Sequence, residues 1–296
     1  MERTTIDCVH SHDFNPDLIP AGRAATARSA ALRGWRPVAL VCLLALAFLR
    51  PVAAGAPTEG EIRLFLNLAR MAKASYDDSS DIVTTPAGCV ALVREYGNGV
   101  LVVAFRGSML GDRDPDRKPF SNLGGKVMRR NYRDWVATNL KQVTGFLPRQ
   151  YIEAAELLLE QIRLHPDATR VYVTGHSKGG GAAEYAAINA WLSRDRPGLP
   201  PITTVTFNAA VVRERNWRRL YRTHSDESVN SLRGGDAPSV TAVFIQGDPV
   251  SDLARDERPS FSRTVELVPS GEMSAGERHG IDAVIRELER LAGSEN

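Results

Sequence analysis

The sequence VYVTGHSKGG, at residues 171–180, contains the pattern G-x-S-x-G between a β-rich run and an alanine-rich run. This pattern is typical of a nucleophile elbow, a sharp turn after a strand that lifts a serine hydroxyl above the sheet edge. The hydroxyl then lies beside a helix N-terminus, where free N–H groups favour a developing oxyanion. A Cβ at Gly175 or Gly179 would collide with the neighbouring strand or helix. The stretch therefore predicts Ser177 as a nucleophile in a strand–turn–helix unit.

Strands alternate with helices along the rest of the chain. Helices are predicted at 62–75, 131–140, 151–164, 178–192 and 280–291, and strands at 89–93, 100–104, 170–173, 202–207, 240–246 and 264–268. Thr58 and Glu61 match a capping box before the first helix, and Gly97-Asn98-Gly99 predicts a hairpin turn. Residues 107–131 are expected to form a long surface loop. The alternation favours a mostly parallel sheet with helices on both faces, the α/β-hydrolase class, in one catalytic domain at 57–296.

Charge and composition limit the possible functions. The 296 residues include 37 basic and 35 acidic side chains, and residues 1–56 hold six Arg and four acidic residues of these. The remaining body has 31 of each sign, and because a neutral body is a poor ligand for a polyanion, no nucleic-acid partner is expected. The sequence has no CxxC, HExxH or Cys/His cluster at metal-ligand spacing, so neither a metal nor a cofactor is expected.

The N-terminal segment carries a run of 12 apolar residues, VALVCLLALAFL, at residues 38–49. Arg33 and Arg36 precede this run, and small residues follow it at 53–56. A membrane-spanning helix needs roughly 20 residues, so the run better fits the apolar region of a secretory signal peptide. We therefore expect residues 1–56 to be a signal peptide or an uncleaved anchor, and the protein to be exported to the periplasm or secreted. A buried core helix is the third alternative.

A serine nucleophile needs a base and an acid that orients the base. In a fold of this class they follow in the order Ser, then Asp or Glu, then His. Two histidines come after Ser177, namely His224 and His279. Asp248 lies just past a predicted buried strand, and only His279 follows it. The order predicts Asp248 as the acid and His279, on a loop before the last helix, as the base.

Other residues near these positions are alternatives. Asp248 precedes Pro249 and could serve only as a turn residue, in which case Asp252 is the rival acid. His176 lies inside the elbow and cannot swing onto the hydroxyl of Ser177, its own neighbour.

An oxyanion hole needs two donors close to the nucleophile. The N–H that follows the nucleophile belongs to Lys178. Ser108, after the strand in VVAFRGS, can offer both its N–H and its hydroxyl. The alternative for Ser108 is a Gly-Ser turn that only ends the strand.

Five strings of the sequence resemble the class 3 (fungal-type) lipase family, in particular its bacterial relatives with a GHSKGG elbow. They are VVAFRGS, NYRDWVATNL, VTGHSKGG, TFNAA and FIQGDPV, in this order, within residues 60–290. The resemblance implies an α/β-hydrolase with the triad and oxyanion-hole residues Ser177, Asp248, His279, Ser108 and Lys178. The sequence departs from the family at residues 207–210, Phe-Asn-Ala-Ala, where many members have a Gly-x-Pro turn.

The expected activity is hydrolysis of carboxylic esters of lipids through an acyl-enzyme on Ser177, as in a lipase or phospholipase. An acyltransferase, a general carboxylesterase and a non-catalytic binding module of the same fold are the alternatives.

Two basic features favour phospholipid over triacylglycerol. The ammonium group of Lys178 could lie near the mouth of the site, where a phosphate would benefit from it, or it could point to solvent at the start of the helix. Arginines crowd residues 213–222 together with Trp217 and Tyr221, which is consistent with peripheral contact with an anionic membrane surface or with a solvated helix face.

Overall fold

The computed structural model of the protein describes residues 56–77, 79–108, 148–193, 199–232, 238–253, 257–259 and 262–293. Seven strands in this part of the chain form one sheet, in the order of the chain. They are β1 (Ile82–Thr84), β2 (Val90–Tyr96), β3 (Val100–Phe105), β4 (Arg170–His176), β5 (Ile202–Phe207), β6 (Ser239–Ile245) and β7 (Arg263–Leu267). The helices of the same residues are α1 (Glu59–Ala74), α2 (Arg149–Leu164), α3 (Lys178–Leu192), α4 (Glu214–Tyr221), α5 (Asp226–Ser231), α6 (Pro249–Asp252), α7 (Ala275–His279) and α8 (Ile281–Gly293).

The sheet is antiparallel at one end and parallel through the rest, which confirms the α/β-hydrolase class. β1, β2 and β3 pair antiparallel, and β3 to β7 pair parallel. The predicted hairpin turn joins β2 to β3, with Asn98 and Gly99 at φ values of 64° and 69°. Because β3 to β7 run in the same direction, their carboxyl ends meet at one edge of the sheet. The residues that follow these strands are therefore brought together there.

Helices cover both faces of the sheet, because neighbouring strand residues point to opposite faces. On one face, buried residues of α2 and α3 pack with the strands, among them Leu158, Ala183, Val103 and Val173. On the other face, buried residues of α1 and α8 pack with the strands, among them Leu68, Val284, Val102 and Tyr172. All six residues of β3 are buried, as expected for a strand in the middle of such a sheet.

The boundaries of α1 and α7 follow from capping side chains. The predicted capping box is present at α1, where Thr58 N donates to Glu61 Oε2 at 2.8 Å and Glu61 N donates to Thr58 Oγ1 at 3.3 Å. A second capping box, between Ser274 and Glu277, begins α7. The prediction that His279 lies on a loop is wrong, because His279 is the last residue of this short helix.

Several sequence predictions fall outside the described residues. These are the N-terminal segment up to residue 55, the loop beyond residue 108 and the helix at 131–140. Within the described ranges, no helix is both long enough and apolar enough to cross a membrane.

Candidate active site

The elbow places Ser177 in a sharp turn between the end of β4 and the start of α3. Its backbone has φ 57° and ψ −127°, a conformation that costs a non-glycine residue on the order of 1–3 kcal/mol. A Cβ at Gly175 would collide with the Gly179 carbonyl, and a Cβ at Gly179 would collide with the Phe105 carbonyl at the end of β3. The two glycines thus allow β3, β4 and α3 to approach closely enough to hold the strained turn.

Three side chains from distant parts of the sequence form a hydrogen-bonded line at the carboxyl edge. Ser177 Oγ lies 2.9 Å from His279 Nε2, and His279 Nδ1 lies 2.9 Å from Asp248 Oδ1. Asp248 is fully buried, and Ser177 and His279 are buried with only 6% and 8% of their surfaces exposed. Because the Asp248 carboxylate accepts a hydrogen bond from His279 Nδ1–H, Nε2 of the same ring is left free to accept the Ser177 hydroxyl proton. The arrangement is that of a serine nucleophile, its base and an orienting acid.

The main chain of α6 fixes the Asp248 carboxylate. Asp248 is the N-cap of this helix, and its side chain accepts hydrogen bonds from Val250 N at 3.4 Å and Ser251 N at 3.0 Å. Burial alone would raise the pKa of Asp248, but the hydrogen bonds from His279 and Ser251 lower it below its ordinary value. Asp248 therefore has the predicted turn-forming role, and its carboxylate also contacts the His279 ring. Asp252 lies at the exposed end of α6.

The two expected oxyanion donors belong to two chain segments that adjoin the nucleophile. Lys178 is the first residue of α3, where backbone N–H groups have no partner within the helix. Ser108 follows Gly107, which lies against the elbow, since a Cβ at Gly107 would be 3.3 Å from Ser177 Cβ. Gly107 and Lys178 thus both adjoin Ser177, and Ser108 is the residue that follows Gly107.

Comparison with known proteins identifies the family. The family model of Tle-like phospholipase domains, described as phospholipase-like, matches residues 69–293. The chain belongs to this family. As a phospholipase-like protein with an α/β-hydrolase fold, it is a serine hydrolase of the carboxylic esters of lipids, as the sequence strings predict.

Other comparisons concern curated proteins and solved structures. No curated protein matches the chain significantly. The chain resembles the Rhizomucor miehei lipase propeptide complex at 19% identity and a TM-score of 0.38, over 67% of this chain and 65% of that one. It resembles the Rhizomucor miehei triacylglyceride lipase at 17% identity and a TM-score of 0.42, over 73% of this chain and 83% of that one. It resembles lipase II from Rhizopus niveus at 17% identity and a TM-score of 0.41, over 74% of this chain and 84% of that one.

The histidines outside the triad differ in position. In this phospholipase-like protein His224 follows the end of α4, with Nδ1 3.1 Å from Leu220 O and Nε2 3.4 Å from Ser193 Oγ. His176 is buried directly beside the triad, and its ring centroid is 5.1 Å from that of His279. The sequence identifies His176 only as a histidine that cannot reach Ser177. Its contact with His279 depends on two segments 103 residues apart, and sequence spacing gives no signal for it.

The side chain of Lys178 turns towards the start of α2. Its Nζ donates to Gln150 Oε1 at 2.8 Å, and burial lowers its pKa. Because α2 runs antiparallel to β4, Gln150 lies at the same edge of the sheet as Ser177. The ammonium group thus lies at the carboxyl edge of the sheet and is partly buried against Gln150.

The arginine-rich stretch forms α4, with an apolar side that packs on α3. Trp217 is buried and stacks on Tyr185 with ring centroids 6.0 Å apart, so it belongs to the core and not to a lipid-contacting surface. Arg218 pairs with Glu214 at 2.7 Å, and Arg213 pairs with Glu257.

Among the described residues, no group of three or more His, Cys, Asp or Glu side chains could hold a metal ion.

Proposed function

We propose that this phospholipase-like protein hydrolyses lipid esters with Ser177 as the nucleophile, His279 as the general base and Asp248 as the acid that orients it. The observation that carries the proposal is the pair of 2.9 Å contacts that join Ser177 Oγ, the His279 ring and Asp248 Oδ1 in one line. A contact of this length is within the range in which a base can abstract a hydroxyl proton.

The reaction has two halves. His279 takes the proton of Ser177 as Oγ attacks the ester carbonyl, and the tetrahedral intermediate collapses when His279 returns that proton to the leaving alcohol. Water then attacks the acyl-enzyme while His279 takes its proton, and the fatty acid is released as His279 returns that proton to Ser177 Oγ. The N–H of Lys178 and the N–H or hydroxyl of Ser108 stabilise the oxyanion in both halves.

Loss of the nucleophile tests the proposal. Ser177→Ala should abolish both hydrolysis of a p-nitrophenyl ester and labelling by a fluorophosphonate probe, with an unchanged circular dichroism spectrum. Ser193→Ala is the matched control, since Ser193 ends α3 and its hydroxyl bonds Asn189 O at 2.9 Å. Appreciable turnover by a folded Ser177→Ala protein would contradict the assignment.

We also propose that phospholipids are better substrates than triacylglycerols and that the protein binds anionic membrane surfaces peripherally. The phospholipase-like family supports the first part, together with the Lys178 ammonium at the edge that carries the nucleophile. Exposed arginines on and after α4 support the second: Arg215, Arg218, Arg219 and Arg222. Each basic group near such a surface contributes about 1 kcal/mol.

Vesicles of graded anionic lipid content, compared with triacylglycerol emulsions and short soluble esters, test the substrate. Fatty-acid release should rise with vesicle charge, and Arg219→Glu should weaken that rise. Arg163→Glu is the control, because Arg163 is an exposed residue in the last turn of α2, away from Gln150 at the start of that helix. Rates that ignore vesicle charge and are highest on short esters would make the protein a general carboxylesterase.

We propose that residues 1–56 are a signal peptide or membrane anchor for export and that residues 57–296 are the catalytic domain. The apolar run behind two arginines supports this. Mass spectrometry of the protein from its native cell should find a chain that begins near residue 57 outside the cytoplasm. An intact N-terminus on a cytosolic protein would contradict export.

A further inference from the structure

His176 is a buried histidine that takes no part in the reaction described above. Its Nε2 lies 2.6 Å from the main-chain oxygen of His279. Because a carbonyl oxygen only accepts, Nε2 must carry the hydrogen. Burial, and then the neighbouring His279 ring, lower the pKa of His176 to about 4. The ring is therefore neutral near pH 7, and its Nδ1 is an acceptor.

Asn208 reaches the same carbonyl from the neighbouring strand end. It is fully buried and has a left-handed backbone, with φ 43°. Its Nδ2 donates to Arg278 O at 2.7 Å and to His279 O at 3.1 Å, while its Oδ1 accepts from Ile245 N at 3.0 Å. Asn208 stands where the sequence departs from the Gly-x-Pro turn of many class 3 lipases.

The helix α7 itself provides no hydrogen bond to the main-chain carbonyl of His279. His279 ends α7, and the last carbonyl groups of a helix have no partner within it. In a helix of five residues the end is also prone to fray. The two side-chain donors, from the ends of β4 and β5, satisfy the His279 carbonyl and fix the main chain from which the base projects.

Tyr76 connects this arrangement to the loop that carries Ser108. Its hydroxyl lies 2.9 Å from His176 Nδ1, and since that nitrogen is an acceptor, the phenol donates. The Tyr76 hydroxyl also lies against Gly107, the residue before Ser108, since a Cβ at Gly107 would collide with it. Arg106 strengthens the link, because its side chain donates to Ser75 O and Asp77 O on both sides of Tyr76.

We propose that His176 and Asn208 are positioning residues that hold the main chain of His279. In this proposal Tyr76 connects them to Gly107 and Ser108, which we call the oxyanion loop. The proposal rests on the assignment of His279 as the base. The line of contacts runs from Gly107 through the Tyr76 hydroxyl and the His176 ring to His279 O. It keeps the base and the oxyanion loop in fixed relation to Ser177, and a misplacement of about 1 Å in such a site costs up to about 100-fold in rate.

Two substitutions at His176 separate positioning from packing. A glutamine amide reaches as far as imidazole Nε2 and can donate to His279 O, whereas an asparagine amide reaches only as far as Nδ1. His176→Asn should lower kcat about 10- to 100-fold with little change in KM. His176→Gln should recover most of that loss. Equal losses in both variants, or a change confined to KM, would overturn the proposal.

Tyr76→Phe tests the connection to the oxyanion loop. It removes only the hydroxyl, and kcat should fall about 3- to 10-fold at constant KM, as expected for one lost hydrogen bond. The control is Tyr96→Phe, because the Tyr96 hydroxyl contacts Met71 Sδ at 3.2 Å. Tyr96 pairs with Val100 at the start of β3, so it lies at the sheet edge opposite the site. Tyr96→Phe should leave kcat unchanged. A fall in kcat of the same size in both variants would show a general effect of lost tyrosine hydroxyls and contradict the connection.

A measurement without substrate distinguishes failure of this proposal from failure of the catalytic assignment. The proton between His279 Nδ1 and Asp248 should give a low-field resonance in the proton NMR spectrum that is absent in His279→Ala. It should be sharp in His176→Gln and broadened by solvent exchange in His176→Asn. A sharp resonance in both variants overturns the positioning role, whereas an inactive wild-type protein with the expected NMR pattern overturns only the hydrolase assignment.

Discussion

At the scale of single residues, each member of the site is held by groups outside the site. Ser177 is held in its strained conformation by the close approach of the flanking strands and helix. Asp248 is held by the N–H groups of Val250 and Ser251. His279 is held through its main-chain carbonyl. Because each side chain is fixed before substrate arrives, little reorganisation is left for the reaction itself.

Ser108 tests the oxyanion hole at this scale. Ser108→Ala removes the hydroxyl but keeps the backbone N–H, so the variant isolates the side-chain donor. We expect kcat to fall by about 10²- to 10³-fold with KM nearly unchanged, the usual loss for one oxyanion donor. Steady-state kinetics on a soluble ester provide the measurement. A loss below about threefold would mean that the hydroxyl is not a donor.

The base is tested by comparing the two histidines that follow the nucleophile. His279→Ala should be nearly as damaging as Ser177→Ala, because members of a triad act as a unit. His224→Ala should have a small effect, since His224 contacts the ends of α3 and α4 and not the triad. The double variant of Ser177 and His279 should be no worse than either single one. The opposite ranking of the two histidines would reassign the base.

At the scale of elements, the elbow requires that α3 pack against the end of β3 without a side chain between them. A Cβ at Gly179 would collide with Phe105 O and with the main chain of Arg106 and Gly107. These are backbone atoms that cannot rotate away. Gly179→Ala should therefore lower the free energy of unfolding by about 1–3 kcal/mol, the usual cost of overpacking, and displace Ser177.

Gly276→Ala is the control for this change. Gly276 lies within α7, and a Cβ there would meet nothing within 4 Å. Alanine should be neutral or stabilise the helix by up to about 1 kcal/mol. Denaturant titration of both variants gives the comparison, and an unfolding midpoint for Gly179→Ala at or above that of the wild type would contradict the close-approach argument.

How far the sequence predicts these elements depends on their length. The helix at 178–192 and the strand at 202–207 are reproduced to the residue, since long runs of one residue class carry a clear pattern. β1 has three residues and α7 has five, which is too few for a period to be recognised. The short α7 is the reason that the sequence places His279 on a loop.

At the scale of the whole molecule, the site is assembled where parallel strands end together. Chain order and a local motif predict Ser177, Asp248 and His279 as the triad. The structure brings these three side chains within hydrogen-bond distance, because strand ends of a parallel sheet share one edge. The positions of Tyr76, His176 and Asn208 depend on contacts between segments 100 and 71 residues apart. Such contacts follow from the packed fold, and no local pattern in the sequence marks them.

The buried His176 also couples the stability of the whole fold to pH. Its pKa is about 4 in the folded protein and about 6.5 in an unfolded chain. Between these values the unfolded state binds a proton that the folded state does not, so the free energy of unfolding falls as pH decreases from 6.5 to 4. The full loss is about 3 kcal/mol, at about 1.4 kcal/mol per pH unit in the steepest part.

This pH window separates His176 from Asp248. Asp248 has a pKa below its ordinary value of 3.8, so its contribution is present above that pH and is lost only as the pH falls further. Denaturant titrations between pH 4.5 and 7 should therefore show a slope in the wild type that is much smaller in His176→Gln, which cannot take up the proton. The two proteins should differ less at pH 4.5 than at pH 7, because the wild type loses its advantage as the unfolded histidine becomes charged. Parallel pH dependences for the two proteins would mean that His176 titrates in the folded state as it does in the unfolded chain.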